Sequence, residues 1–135
     1  MSTTITTLTD QNNSTLRTAA YGAVSLIAAA GATHKGISQG SIALTSATGL
    51  VGHVLAAKSK DIHLHGKSVA ELADQVLPSL TAAMNLLGKQ DPAEADNFRD
   101  TVLVAVEAAT QPHRGGPNPA VTAMARKITA AMDAA

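Results

Sequence analysis

Ala29-Ala30-Gly31-Ala32-Thr33-His34-Lys35-Gly36 is echoed by Ala108-Ala109-Thr110-Gln111-Pro112-His113-Arg114-Gly115. Each copy is an Ala-Ala pair, three spacers, a His, a cation and a Gly. The second stands 79 positions after the first (His113 against His34). In both places an apolar, Ala-rich run stops and another helical pattern starts soon afterwards. The reading is two helix–turn–helix hairpins with a connecting segment between them.

Working outward, Leu16, Ala20, Ala23, Ile27 and Ala30 recur at three- and four-residue steps and make one helical face. Asn13 or Ser14 is the expected cap of that helix, since either side chain can accept from orphan N–H groups. Residues 31–36 break the pattern. Ser38 or Ser41 is then the expected cap of a second helix running to about Ala57. Its apolar face would be Ile42, Ala43, Ala47, Leu50, Val51, Val54 and Leu55. Gly49 and Gly52 within it each cost about 1 kcal/mol relative to Ala, which suggests close helix packing there.

Residues 58–67 form the main internal loop, with Asp61-Ile62-His63-Leu64-His65-Gly66 as a brief extended piece. Ser68-Val69-Ala70-Glu71 has capping-box spacing. Val69, Leu72, Val76, Leu80, Met84 and Leu87 follow on one stripe, and Gly88 is the expected stop. Pro78 predicts a kink or two short helices. Asp91-Pro92-Ala93-Glu94 is a strong helix start, with Asp91 capping, Pro92 lacking a needed N–H and Glu94 closing the box. Ala95, Phe98, Val102, Ala105, Val106 and Ala109 supply its buried face. After the turn, Asn118-Pro119 opens a last helix with Val121, Met124, Ala125, Ile128 and Met132 inward. No stretch reads as a sustained strand. The expected fold is all-α: about five helices, two hairpins around a kinked middle.

Composition narrows the function. At 135 residues, one domain can bury a sizeable core. Residues 1–13 read as a disordered N-terminal tail and residues 14–135 as a single helical-bundle domain. Aromatics are only 1%, Tyr21 and Phe98 alone, so Ala, Val, Leu, Ile and four Met must build the core. Small side chains contribute little apolar area each, which favours stabilisation by self-association. Ten Lys and Arg balance ten Asp and Glu. That argues against nucleic acid and anionic membranes as partners. Zero cysteines exclude disulfides and thiolate chemistry within the chain. With no signal-peptide pattern and no apolar run long enough to span a bilayer, the expected location is cytoplasmic.

Four clusters are candidates for chemistry. His63 and His65 share one side of an extended segment with Asp61 close by, a spacing that can chelate a divalent metal; the bland reading is a solvated loop. Gly36-Ile37-Ser38-Gln39-Gly40 matches the G-x-S-x-G elbow of serine hydrolases. No strand precedes it, and a helix cap explains Ser38 better. His34 and His113 can titrate near neutrality. Each reads more simply, with Lys35 or Arg114, as a cation at a helix C-terminus. Asp91, Glu94, Asp96 and Asp100 cluster where a helix dipole favours carboxylates. Gly115-Gly116-Pro117 lacks the Lys and Ser/Thr of a phosphate loop.

The layout resembles the tellurite-resistance TerB-like family. Residues 95–109, the turn to Gly116 and residues 119–132 carry the likeness best; residues 19–30, Gly36-Ile37-Ser38 and the helix to Leu55 are the earlier copy. Where the family's turns bear an Asp-Gly step and a following Glu, Lys35 and Arg114 precede the glycines here, so no cation-binding residue carries over. The resemblance implies an all-α module tied to stress response. The leading expectation is a non-enzymatic interaction or structural module that self-associates, or binds another protein, through a smooth face including Ala43, Ala47, Gly49 and Gly52. A metal-binding protein using His63, His65 and Asp61 is the alternative, and a small serine hydrolase centred on Ser38 a remote one.

Overall fold

The computed structural model describes residues 10–56, 68–110 and 119–135. Its regular elements are all helices: α1 (Asp10–Ala29), α2 (His34–Thr45), α3 (Gly49–Ala56), α4 (Val69–Gln90), α5 (Pro92–Ala109) and α6 (Pro119–Asp133). The all-α expectation holds, with α1–α2 and α5–α6 as the two hairpins. The described helices number six because the second predicted helix divides at Ala47 and Thr48. Residues 10–13, expected in the tail, belong to α1, and Asn13 and Ser14 lie inside that helix rather than at its cap.

α1 is the hub, packed against each of the other five helices and most extensively against α4. Leu16, Ala20, Ala23 and Ile27 are buried as their spacing predicts. Ala19, Val24 and Leu26 are buried as well, because α1 is covered on several sides. Gly22 lets α4 approach closely: a Cβ there would stand 2.7 Å from a methyl of Val76. α5 buries all six residues of its predicted face, around Phe98. α6 buries Val121, Met124, Ile128 and Met132, with Ala125 half-buried. It is tied to α4 by the Thr81 hydroxyl donating to the Ala131 carbonyl (2.6 Å). An Arg99–Asp133 ion pair ties it to α5 (2.9 Å).

The first turn is built from two signals. The Ala32 N–H reaches the Ile27 carbonyl (3.1 Å) and the Gly31 N–H reaches that of Ala28 (3.0 Å), with Gly31 at φ 119°. These two bonds satisfy two of the last carbonyls of α1, and a left-handed residue favouring glycine makes them possible. Two residues later, Thr33 caps α2 by accepting from the Gly36 N–H (3.0 Å). The cap is therefore Thr33, not Ser38 or Ser41. His34 and Lys35 open a helix rather than close one, which reverses their expected place on the dipole.

α4 runs unbroken through Pro78 and past Gly88 to Gln90. Pro78 lies on the exposed side of α4, and the burial of Val76, Leu80 and Ala83 on the other side holds both halves in one helix. Ser68 caps α4 as its spacing predicts, accepting from the Glu71 N–H (3.2 Å). At the other end Asp91 alone joins α4 to α5. Its N–H donates to the Leu87 carbonyl (2.7 Å) while its carboxylate accepts from the Ala93 N–H (3.1 Å).

Candidate functional site

α2 is only twelve residues long and α3 eight, both too short to be stable alone. Their supports differ, and both shape the surface that the second half of α2 presents. Gly36 and Gly40 form a notch into which α5 settles. A Cβ on Gly36 would stand 2.5 Å from the Ala109 carbonyl oxygen, and one on Gly40 would stand 2.9 Å from that of Ala105. The G-x-S-x-G pentapeptide is thus a helix-crossing surface inside α2, with its glycines against α5 and Ser38 exposed on the far side. A nucleophile elbow needs a strand before the turn, and here the preceding element is α1. This crossing also joins the two echoed stretches, since Gly36 ends one and Ala109 belongs to the other.

α3 is held at both ends by side chains from other helices. At its start the Glu94 carboxylate accepts from the Val51 N–H (3.0 Å), and the Asn97 amide donates to the Thr48 carbonyl (2.8 Å). At its end Arg17 donates to the Val54 carbonyl (3.1 Å) and the Tyr21 hydroxyl to that of Leu55 (2.7 Å). Orphan groups at both termini are thereby satisfied, with a carboxylate at the positive end and a guanidinium at the negative end. Burial pushes the Tyr21 phenol above its ordinary value, and the Arg17 charge opposes that shift in part. Glu94 does not close a box on its own helix, because the Asp91 N–H is taken by Leu87. Gly49 and Gly52 do not make a helix–helix seam either. Gly49 turns the chain at φ 74° beside the Glu94 carboxylate, and Gly52 leaves room for the Ala47 carbonyl.

The outer side of the α2–α5 pair carries the candidate surface. The inward apolar residue of α2 is Leu44, fully buried, whereas Ile42, predicted inward, is 57% exposed. Val104 on α5 is 59% exposed. Between the helices runs a shallow groove of about 270 Å³ lined by Ala43, Ser46, Ala47, Asp100, Thr101 and Val104. Lys35 lies towards one end of this face and Asp100 towards the other, both exposed. The expected apolar face of the second helix concealed it, since that face set Ile42 inward and left out Leu44, which lies on the opposite side of α2.

His63, His65 and Asp61 lie outside the described residues, as does His113, and so do the side chains of His34 and His53. Among the described residues no three His, Asp or Glu side chains converge as metal ligands, and no helix is long and apolar enough to cross a membrane. Asp91, Glu94, Asp96 and Asp100 do not form an acid–base pair: Asp91 caps α5, Glu94 caps α3, and Asp96 and Asp100 are exposed. No protein family, no curated protein and no solved structure matches this chain.

Proposed function

We propose that the chain is a cytoplasmic, non-enzymatic helical interaction module that pairs with a second copy of itself through the outer face of α2 and α5. One observation carries the reading. Among the described residues only three large aliphatic side chains are left exposed, and two of them, Ile42 and Val104, belong to this face. The third, Val69, is the first residue of α4. Every other Val, Leu and Ile whose side chain is described is buried or half-buried, so apolar surface left on one face is the feature to be explained. The expected smooth seam is revised: Ala43 and Ala47 remain on the groove, while Gly49 and Gly52 are used within the protomer. A stress-response role like that of the TerB-like family belongs to the same proposal, supported by the two hairpins around a middle segment.

Light-scattering mass against concentration tests the pairing. The expected result is a dimer that Ile42→Lys or Val104→Lys converts to monomer while the melting temperature stays within a few degrees. A chain that remains monomeric at every concentration would overturn it.

A further inference from the structure

We infer that the α2–α5 groove is a subsite for a hydrogen-bonding cation on an alkyl stem, the chemistry of a lysine or arginine side chain. It shares the face of the pairing proposed above and stands without it, because it is argued from polar groups rather than from exposed apolar ones. Ala109, Ala105 and Thr101 follow one another at four-residue steps along α5. The first two receive Gly36 and Gly40. At the third step α2 has no further glycine to offer, and the groove opens with Thr101 among its lining residues.

Thr101 is only 9% exposed, yet its hydroxyl has no hydrogen-bond partner among the described residues. Other threonines of the chain behave differently. Thr45, Thr81, Thr110 and Thr129 each donate to a carbonyl three or four residues back. A hydroxyl buried without a partner is costly, so a ligand group that supplies the missing bond gains by binding here.

The groups around Thr101 accept rather than donate. Asp100 is exposed, and its carboxylate has no hydrogen-bond or ion-pair partner among the described residues. The Ser46 hydroxyl gives its proton to the Ile42 carbonyl (2.9 Å), so only its lone pairs remain to offer. α2 ends at Thr45, which sets the groove beside the negative end of its dipole, and no basic residue stands in its last turn. None of the described residues lining the groove is a cation. A carboxylate, spare lone pairs and a helix C-terminus together select a cation that donates several hydrogen bonds. Ala43, Ala47 and Val104 give its alkyl stem apolar wall to lie against.

Butylammonium and butylguanidinium are the probes, with butanol as the neutral control, followed by NMR at constant ionic strength. Both cations should shift the Thr101 and Val104 methyl signals and those of Ser46 saturably, and butanol should not. Asp100→Asn and Thr101→Val should each raise the probe dissociation constant by about tenfold. Thr101→Val should also leave the melting temperature unchanged or higher, since the hydroxyl it removes bonds nothing in the protomer. No saturable shift, an equal shift from butanol, or a Thr101→Val protein that melts lower yet binds the probes as before would overturn the subsite. Light scattering then separates the sources of the cation. If the second copy supplies it, Asp100→Asn raises the dimer dissociation constant and the probes lower the dimeric fraction. If another chain supplies it, neither changes the mass while probe binding persists. A monomeric mass at every concentration would remove the pairing and leave the subsite standing.

Discussion

α2 and α3 come from what reads as one helix in the sequence, yet they are held by opposite means. α2 is held by shape: two glycines let the α5 backbone approach until carbonyl oxygens occupy the space of absent side chains. α3 is held by hydrogen bonds, with Glu94 and Asn97 at its start and Arg17 and Tyr21 at its end. A short helix needs tertiary support, and either kind suffices. The difference lies in how each should fail. A notch against backbone cannot yield to an added atom, whereas a clamp of four side chains should fail in parts.

The largest effect should come from breaking the notch. Gly36→Ala sets a methyl against the Ala109 carbonyl and should cost about 3 kcal/mol, net of a helix-propensity gain of about 1 kcal/mol. Gly88→Ala is the contrasting control: nothing lies within 4 Å of its Cβ, so urea melts should show a gain of up to about 1 kcal/mol. Equal behaviour of the two variants would abolish the claim that shape holds α2.

The clamp should give way in smaller steps. Arg17→Met removes a charged donor from the buried end of α3 and should cost about 2 kcal/mol by the same melts. Glu94→Ala, which removes an exchangeable N-terminal acceptor, should cost about 1 kcal/mol. A loss as large as that of Gly36→Ala from either would make the clamp a single unit rather than a set of parts.

The smallest effect is a pH dependence. Burial raises the folded pKa of Tyr21 above its ordinary value of 10.0. Its contribution is therefore fully present below the unfolded value and lost as pH rises through the folded one. Tyr21 is the only tyrosine, so tyrosinate absorbance reads it directly. The native midpoint should lie above that of the urea-unfolded chain, and Tyr21→Phe should flatten the alkaline loss of stability. A native midpoint at or below the unfolded one would contradict the buried hydroxyl.

The helix faces were legible because periodicity reports burial along one element: α5 and α6 buried the stripes their spacing marked. Local caps were legible where residue type and spacing agree, as at Ser68 and Asp91. The first turn was readable in principle from Gly31 and Thr33, yet the glycines further on drew the boundary too far. What the sequence concealed was long-range. Glu94 has the spacing of a capping box for its own helix, and only the fold brings it to Val51, 43 positions earlier. Likewise, Gly36 and Gly40 look like an enzyme motif until α5 is seen lying on them. The exposed pair Ile42 and Val104 sits on two helices whose adjacency no local pattern states.

The hub position of α1 has a consequence for synthesis. During translation α1 emerges before the five helices that cover it, and α4, its most extensive partner, begins only at Val69. The part of α1 that α4 covers, around Gly22, must therefore wait uncovered while some forty further residues are added; at about 5–20 residues per second this lasts seconds. The notch in α2 waits longer still, because Ala105 and Ala109 follow Gly36 at a greater separation than α4 follows α1. A nascent chain of this protein stalled before α5 is thus a natural client for a ribosome-associated chaperone.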